Sequence, residues 1–223
     1  MGYIKNGDNM EYDFKFFENA VKALETEKRF NHTLGVQKEA YELGKIFIPD
    51  KADKLQFAGL LHDITKDFTL EKHLELCEKY SISIDKSNIV SKLLHAKTGC
   101  EYARELFSTE LVDDEVYNGI YYHTTGRKNM SLFETIIYLA DYIEAGRTFE
   151  DCVQLRKYFY DNISTANSLN SKLEVLRKTM VLSFNLTIKN LIDENKQIDS
   201  DTVEARNYFL MNKSVFKNIS LEE

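Results

Sequence analysis

One proline, nine glycines and three cysteines in 223 residues, with no apolar run near the roughly 20 needed to span a bilayer, exclude several classes of protein. So little glycine leaves no Gly-rich phosphate loop, and no Ser-His-Asp ordering offers a nucleophile in its place. Cys77, Cys100 and Cys152 are widely spaced, odd in number and without a CxxC pair, which argues for reduced thiols over a disulfide frame or zinc knuckle. The first ten residues have no signal-peptide core, so the chain reads as cytoplasmic, with no membrane partner. Positive charge is short as well. With 29 Lys and Arg against 36 Asp and Glu, the net charge of -7 gives duplex nucleic acid no basic face to grip. Anionic small molecules stay open, because bound divalent ions would create a local attraction for phosphate on an acidic protein.

What is present is helix-forming: Leu, Lys, Glu and Tyr are abundant, the apolar spacing follows a 3.6-residue period, and no strand series appears. The expected fold is an all-α helical bundle with additional C-terminal helices. Helices are expected near 11–28, 31–47, 53–65, 70–80, 92–107, 113–122, 132–145, 150–164, 168–194 and 201–210. One domain is expected over 1–223: a core of about 14–165, a helical extension of about 166–211 and a fraying tail from Asn212 to Glu223. Ser131-Leu-Phe-Glu134 has the capping-box pattern, with Gly146 placed to end that helix, and Asp201-Thr-Val-Glu204 repeats the signature more weakly. Pro49 and Asp50 separate the second and third helices and make them antiparallel neighbours. The stripe Leu173, Leu176, Met180, Phe184, Ile188 and Leu191 reads as packing.

The informative pair is His62-Asp63, inside the apolar run Leu55-Gln-Phe-Ala-Gly-Leu-Leu-His-Asp-Ile64. Burial there penalises both an imidazole and a carboxylate unless something compensates, and a divalent metal accepts both. Four of the five histidines, His32, His62, His95 and His123, recur roughly 30 residues apart, about two helices and a turn, so each can return to one centre from a different helix of a bundle. Asp141 interrupts another apolar run, Ile136-Ile-Tyr-Leu-Ala-Asp-Tyr-Ile143. Taken singly, each has a plainer reading: a core histidine bonded to a carbonyl, or Asp141 paired with Arg147. One metal centre covers all six. His73, among Glu71, Lys72 and Glu75, is expected on a solvated helix face.

The pattern His32, His62-Asp63, Asp141 resembles that of the HD-domain phosphohydrolases. The strings Arg29-Phe-Asn-His-Thr-Leu-Gly-Val36, Ala58-Gly-Leu-Leu-His-Asp-Ile-Thr-Lys-Asp67, Tyr122-His-Thr-Thr-Gly-Arg127 and Met130-Ser-Leu-Phe-Glu-Thr-Ile-Ile-Tyr-Leu-Ala-Asp-Tyr-Ile-Glu-Ala-Gly-Arg147 resemble the bacterial symmetrical diadenosine tetraphosphatase branch, a likeness that runs from about 14 to 210. The resemblance implies an HD-type bundle and a two-metal centre. One metal falls to His32, His62, Asp63 and Asp141, a second to His95 and His123, with Asp63 between them. Iron is the metal implied; manganese or zinc suits the same donors. Thr33, Thr65, Lys128-Asn129 and Ala145 depart from the branch pattern without removing a ligand.

Such a centre would lower the pKa of a shared water and clamp phosphate oxygens, so that hydroxide attacks an inner phosphate of diadenosine tetraphosphate and two ADP result. Asp63, Lys66, His95 and His123 are the expected catalytic residues. Lys66, three after Asp63 and four after His62, has the helical spacing to neutralise a phosphate oxygen. Thr124, Thr125, Gly126 and Arg127 form the expected substrate loop, with Arg29 and Arg147 as further contacts. Another nucleotide phosphohydrolase of this type, acting on a deoxynucleotide or an alarmone, and a nucleotide-binding regulator without turnover are the competing readings. A homodimer is expected from the long C-terminal amphipathic segment.

Overall fold

The structure is a computed structural model that describes residues 2–6, 9–84, 91–213, 215 and 216. Among them ten α-helices follow a two-stranded antiparallel hairpin, β1 (Tyr3–Asn6) with β2 (Asn9–Tyr12). The helices are α1 (Phe14–Lys22), α2 (Glu27–Phe47), α3 (Ala52–Leu61), α4 (Leu70–Lys79), α5 (Ser91–Phe107), α6 (Asp114–Tyr122), α7 (Leu132–Ile143), α8 (Glu150–Ile163), α9 (Leu169–Asp193) and α10 (Ser200–Met211), with one 3-10 turn at Pro49–Lys51. The all-α reading holds, and no helix among the described residues is long and apolar enough to cross a membrane. The hairpin is a departure: Tyr12 stacks on Phe57 at 5.0 Å and joins the ring cluster of Phe17 and Phe107.

The expected first helix divides in two because two caps intervene. Asp13 accepts from the N–H of Phe16, and Thr26 accepts from the N–H of Arg29, so the chain restarts as α2 four residues before the sequence pattern suggests. Helix α7 is buried on all sides from Leu132 to Ala140, as expected of a central helix, and it packs against α2, α3, α6, α8 and α9. Its N-cap is Ser131, whose hydroxyl accepts from the Glu134 N–H and donates to the Glu134 carboxylate. Its end comes at Glu144 rather than Gly146. Likewise α10 is capped by Asp199, two residues before the Asp201 signature.

Helices α2 and α3 pack most extensively, antiparallel as Pro49 suggests, which brings His32 near the start of one beside His62 at the end of the other, ring centroids 5.4 Å apart. On α9, Leu173, Leu176, Met180 and Phe184 are buried, while Ile188 and Leu191 are only half-buried. The expected tail lies mostly outside the described residues; within them Phe216 is buried, with its ring 6.0 Å from Phe209. His73 corrects the sequence reading. It is buried with Leu76 and Cys77 on the inner stripe of α4, and its Nδ1 lies 2.9 Å from the Thr98 hydroxyl. The charges at 71, 72 and 75 lie outside that stripe.

Candidate metal centre

Four helices and the turn that follows α3 deliver the six residues. The start of α2, which carries His32, is tied down by Asp67, whose carboxylate accepts from the Thr26 N–H (2.8 Å) and hydroxyl (2.9 Å). Regular helix α3 stops at Leu61, and His62 and Asp63 open a run of i→i+3 bonds that continues to Phe68. Lys66 therefore sits on a tight turn rather than a helix, and still points inward. His95 comes from α5, His123 is the C-cap of α6, and Asp141 lies in the last turn of α7.

The geometry brings all six together. His32 Nε2 is 3.0 Å from Asp141 Oδ1, and His62 Nε2 is 3.6 Å from both Asp141 Oδ1 and Asp63 Oδ2. On its other side, Asp63 Oδ1 meets His95 Nε2 at 3.0 Å, His123 Nε2 at 3.3 Å and Lys66 Nζ at 3.5 Å. His95 Nε2 and His123 Nε2 are themselves 3.0 Å apart. Two groups have donor atoms all within 4.8 Å of one another: His32, His62 and Asp141, and His62, Asp63 and His123.

Hydrogen bonding on the outer ring nitrogens fixes what faces inward. Nδ1 of His62 donates to the Gly59 carbonyl and Nδ1 of His123 to the Ile120 carbonyl, each at 2.7 Å, which leaves the Nε2 lone pairs aimed at the centre when the rings are neutral. His32 Nε2, His62 Nε2 and Asp63 Oδ1 are buried and find no aligned hydrogen-bond partner despite their close neighbours. Three such converging orphans would be costly in a purely structural cluster, whereas a divalent cation accepts all three. The donor set of imidazole and carboxylate fits the group.

Burial raises the pKa of Asp63, but the adjacent His62 and His95 imidazoles outweigh it and hold the carboxyl well below its usual range. Burial likewise opposes ionisation of Asp141 and is outweighed by Arg147 and His32. Burial lowers His62, and it pulls His95 down to about 3 against the attraction of Asp63. His32 goes the other way: burial is overcome by Asp141 and Glu144, and its pKa rises to about 9, so a metal ion taken up there would have to displace a proton. Lys66 is lowered, chiefly by burial.

Arg29 donates to Asp63 Oδ2 at 2.8 Å and Arg147 donates to Asp141, so both expected contacts border the centre, each side chain 28% exposed. Lys66 Nζ is 2.9 Å from His95 Nε2, and the Thr124 hydroxyl is 3.1 Å from His123 Nε2. Thr125 bonds the Gly126 carbonyl, away from the cluster. Gly126 adopts φ 66°, a conformation that suits glycine, and an added Cβ would meet the Phe184 ring at 2.7 Å. Arg127 is not brought to the centre: its guanidinium forks onto Glu134 at 2.8 and 2.7 Å and stacks over Tyr122.

Three residues went unread. Glu144 is buried and accepts from His32 Nδ1 at 3.0 Å, orienting that ring; its position three after Asp141 was the available signal. Gly35 makes room for it, since a Cβ there would collide with the Glu144 carboxylate. Arg156 of α8 donates to the carbonyls of Ile143, Glu144 and Arg147 at 2.6, 2.5 and 2.7 Å, holding the segment that carries Glu144 and Arg147. Nothing in local sequence marks a side chain whose partners are main-chain oxygens on another element.

Comparisons with known proteins agree with this arrangement. Residues 29–146, which span all six side chains, match the family model of the HD domain. Over 191 residues the chain is 34% identical to the symmetrical bis(5'-nucleosyl)-tetraphosphatase of Halalkalibacterium halodurans, covering 86% of this chain and 94% of that one. It is 32% identical over 183 residues to the Staphylococcus aureus protein of the same name, covering 82% and 87%. A Clostridium acetobutylicum crystal structure, described as a predicted HD superfamily hydrolase involved in NAD metabolism, superposes with a TM-score of 0.76 at 36% identity, covering 89% of this chain and 97% of that one. With the ligand pattern, the helical frame and near-full-length likeness in agreement, the chain belongs to the HD-domain family, within its symmetrical bis(5'-nucleosyl)-tetraphosphatase group.

Proposed function

We propose that this chain is a divalent-metal-dependent hydrolase that divides diadenosine tetraphosphate at its central bridge and releases two ADP. The observation that carries the reading is the posture of Asp63: Oδ2 faces His62 and Arg29, while Oδ1 faces His95, His123 and Lys66. A carboxylate with a separate set of donors on each oxygen is suited to lie between two cations. We therefore assign His32, His62, Asp63 and Asp141 to one metal and His95, His123 and Asp63 to a second, with iron as the proposed metal and manganese or zinc compatible with the same donors. When bound, such ions supply a water of lowered pKa and positive charge for phosphate oxygens.

The chain's own residues do the rest. The two ligating aspartates already have arginine partners, so added cation charge leaves the site in want of an anion, which a polyphosphate provides. Arg29 and Arg147 present partly exposed guanidiniums for its outer oxygens, and the Lys66 ammonium lies deeper, beside His95 and Asp63. The Thr124 hydroxyl offers a further donor beside His123. Arg127 acts by fixing Glu134 and the start of α7 rather than by touching substrate. Water adds at one inner phosphorus, the central P–O–P bridge breaks, and ADP departs on each side. A single working domain, a reducing cytoplasm that suits its three free thiols, and a homodimer through the long amphipathic C-terminal segment belong to the same proposal.

Anaerobic loading with iron or manganese, incubation with diadenosine tetraphosphate and chromatography of the products tests the reading. ADP as sole product is expected, with loss of at least about a hundredfold in rate in His62→Ala. AMP with ATP, or intact substrate after hours, would overturn it.

A further inference from the structure

Next to the metal centre opens a cleft of about 540 Å³, within the range of small-molecule sites. Exposure rises along its lining from Glu144 and His32 at the inner end, through Arg29 and Arg147 with Lys28 and Asp67 on the charged walls, to Phe149 at the outer edge. Phe149 is the most exposed aromatic side chain among the described residues, at 69%. A single exposed apolar residue normally calls for no explanation. This one differs in three respects. Phe16 and Tyr160, the other exposed rings, lean on Phe17 and Phe159, whereas Phe149 has no ring partner among the described residues. It occupies the N-cap of α8 and makes no capping bond, at a position that local stability would fill with Ser, Thr, Asp or Asn. And it follows Arg147 by two residues on the segment that Arg156 holds by three carbonyls, so the ring is carried on a fixed support beside a phosphate-binding cation.

We infer that Phe149 is the stacking platform for the nucleobase of one nucleoside diphosphate half of the substrate. The inference rests on reading the site as a nucleotide hydrolase centre. The order of groups from inner to outer end, the His32 edge of the proposed metal centre, guanidiniums, then a bare aromatic face, follows the order of a nucleoside diphosphate from its terminal phosphate to its base. Stacking reads the π face that every base has and not its hydrogen-bonding edge. The subsite therefore accepts guanine about as well as adenine.

Equilibrium binding of ADP, GDP and base-free pyrophosphate to the metal-loaded protein, with urea unfolding of each variant, tests this. Phe149→Ser and Phe149→Ala are expected to weaken ADP and GDP by about tenfold or more while pyrophosphate stays within twofold, and Phe149→Trp to retain both nucleotides. Phe149→Ser supplies the missing cap, so its stability is expected to equal or exceed the parent's, which separates loss of stacking from loss of folding. Unchanged ADP affinity in folded Phe149→Ser would overturn the inference even if diadenosine tetraphosphate is still cut. If the parent fails to cut that substrate yet loses ADP affinity on this substitution, the stacking role stands and the proposed reaction falls.

Discussion

At the scale of single residues, the site illustrates how a polar group's surroundings decide whether it can be recognised. His62, Asp63 and Asp141 were legible because each breaks an apolar run. Glu144 was not, because it follows the helix in a stretch, Glu-Ala-Gly-Arg, that reads as surface, and only the tertiary notch over Gly35 buries it. His73 misled for the opposite reason: its charged neighbours concealed an inward position. That burial has a measurable consequence. Burial first, and the nearby charge of Lys66 second, lower the His73 pKa below its ordinary value. The folded state thus prefers neutral His73, so its stabilising contribution is complete above the unfolded value near 6.5 and is lost as pH falls through the lower folded value. In His73→Asn, whose amide can still donate to Thr98, that dependence is removed. The stability advantage of the parent over the variant should shrink between pH 7.5 and 5 in urea titrations, and a difference constant across that interval would count against the assignment.

Among the elements, helix existence was easy to read and helix ends were not. Periodicity locates α7 and α9, but the start of α2 depends on Asp67, a residue 41 positions away that bonds Thr26, and the hairpin strands are four residues each, too short for alternation to register. The clearest dependence between elements runs from α9 to the loop after His123. Phe184 is fully buried against Gly126 and Tyr138, the ring of the latter 4.8 Å away, so a C-terminal helix supports the turn that carries Thr124. Phe184→Ala is expected to cost ~3–5 kcal/mol in urea unfolding. It should also raise the KM for diadenosine tetraphosphate several-fold while leaving metal content unchanged, since no proposed ligand touches this ring. A cost under ~1 kcal/mol with normal kinetics would show that α9 does not support the loop.

For the molecule as a whole, the proposed metals are a folding constraint as much as a reagent. Their ligands lie on α2, α5, α6, α7 and the turn after α3, so one bound centre ties five parts of the bundle together. An ion that binds only the folded state adds about 2.7 kcal/mol at a free concentration one hundred times its dissociation constant. Iron or manganese should therefore raise the unfolding temperature by several degrees, a chelator should reverse the rise, and His62→Ala, which loses a ligand of one proposed metal, should show a smaller rise. A shift of equal size in His62→Ala would place the ion elsewhere.

Gly35 carries a consequence beyond catalysis. A helix normally gains by exchanging an interior glycine for alanine, about 0.5–1 kcal/mol. Here a methyl group would push aside the buried acid that aligns the first imidazole and break its bonds to His32 and the Gly146 N–H, so the helix's gain is offset and the alanine variant is the poorer enzyme with no net gain in stability. The exchange that firms most helices is closed to this one by the side chain lying across from it.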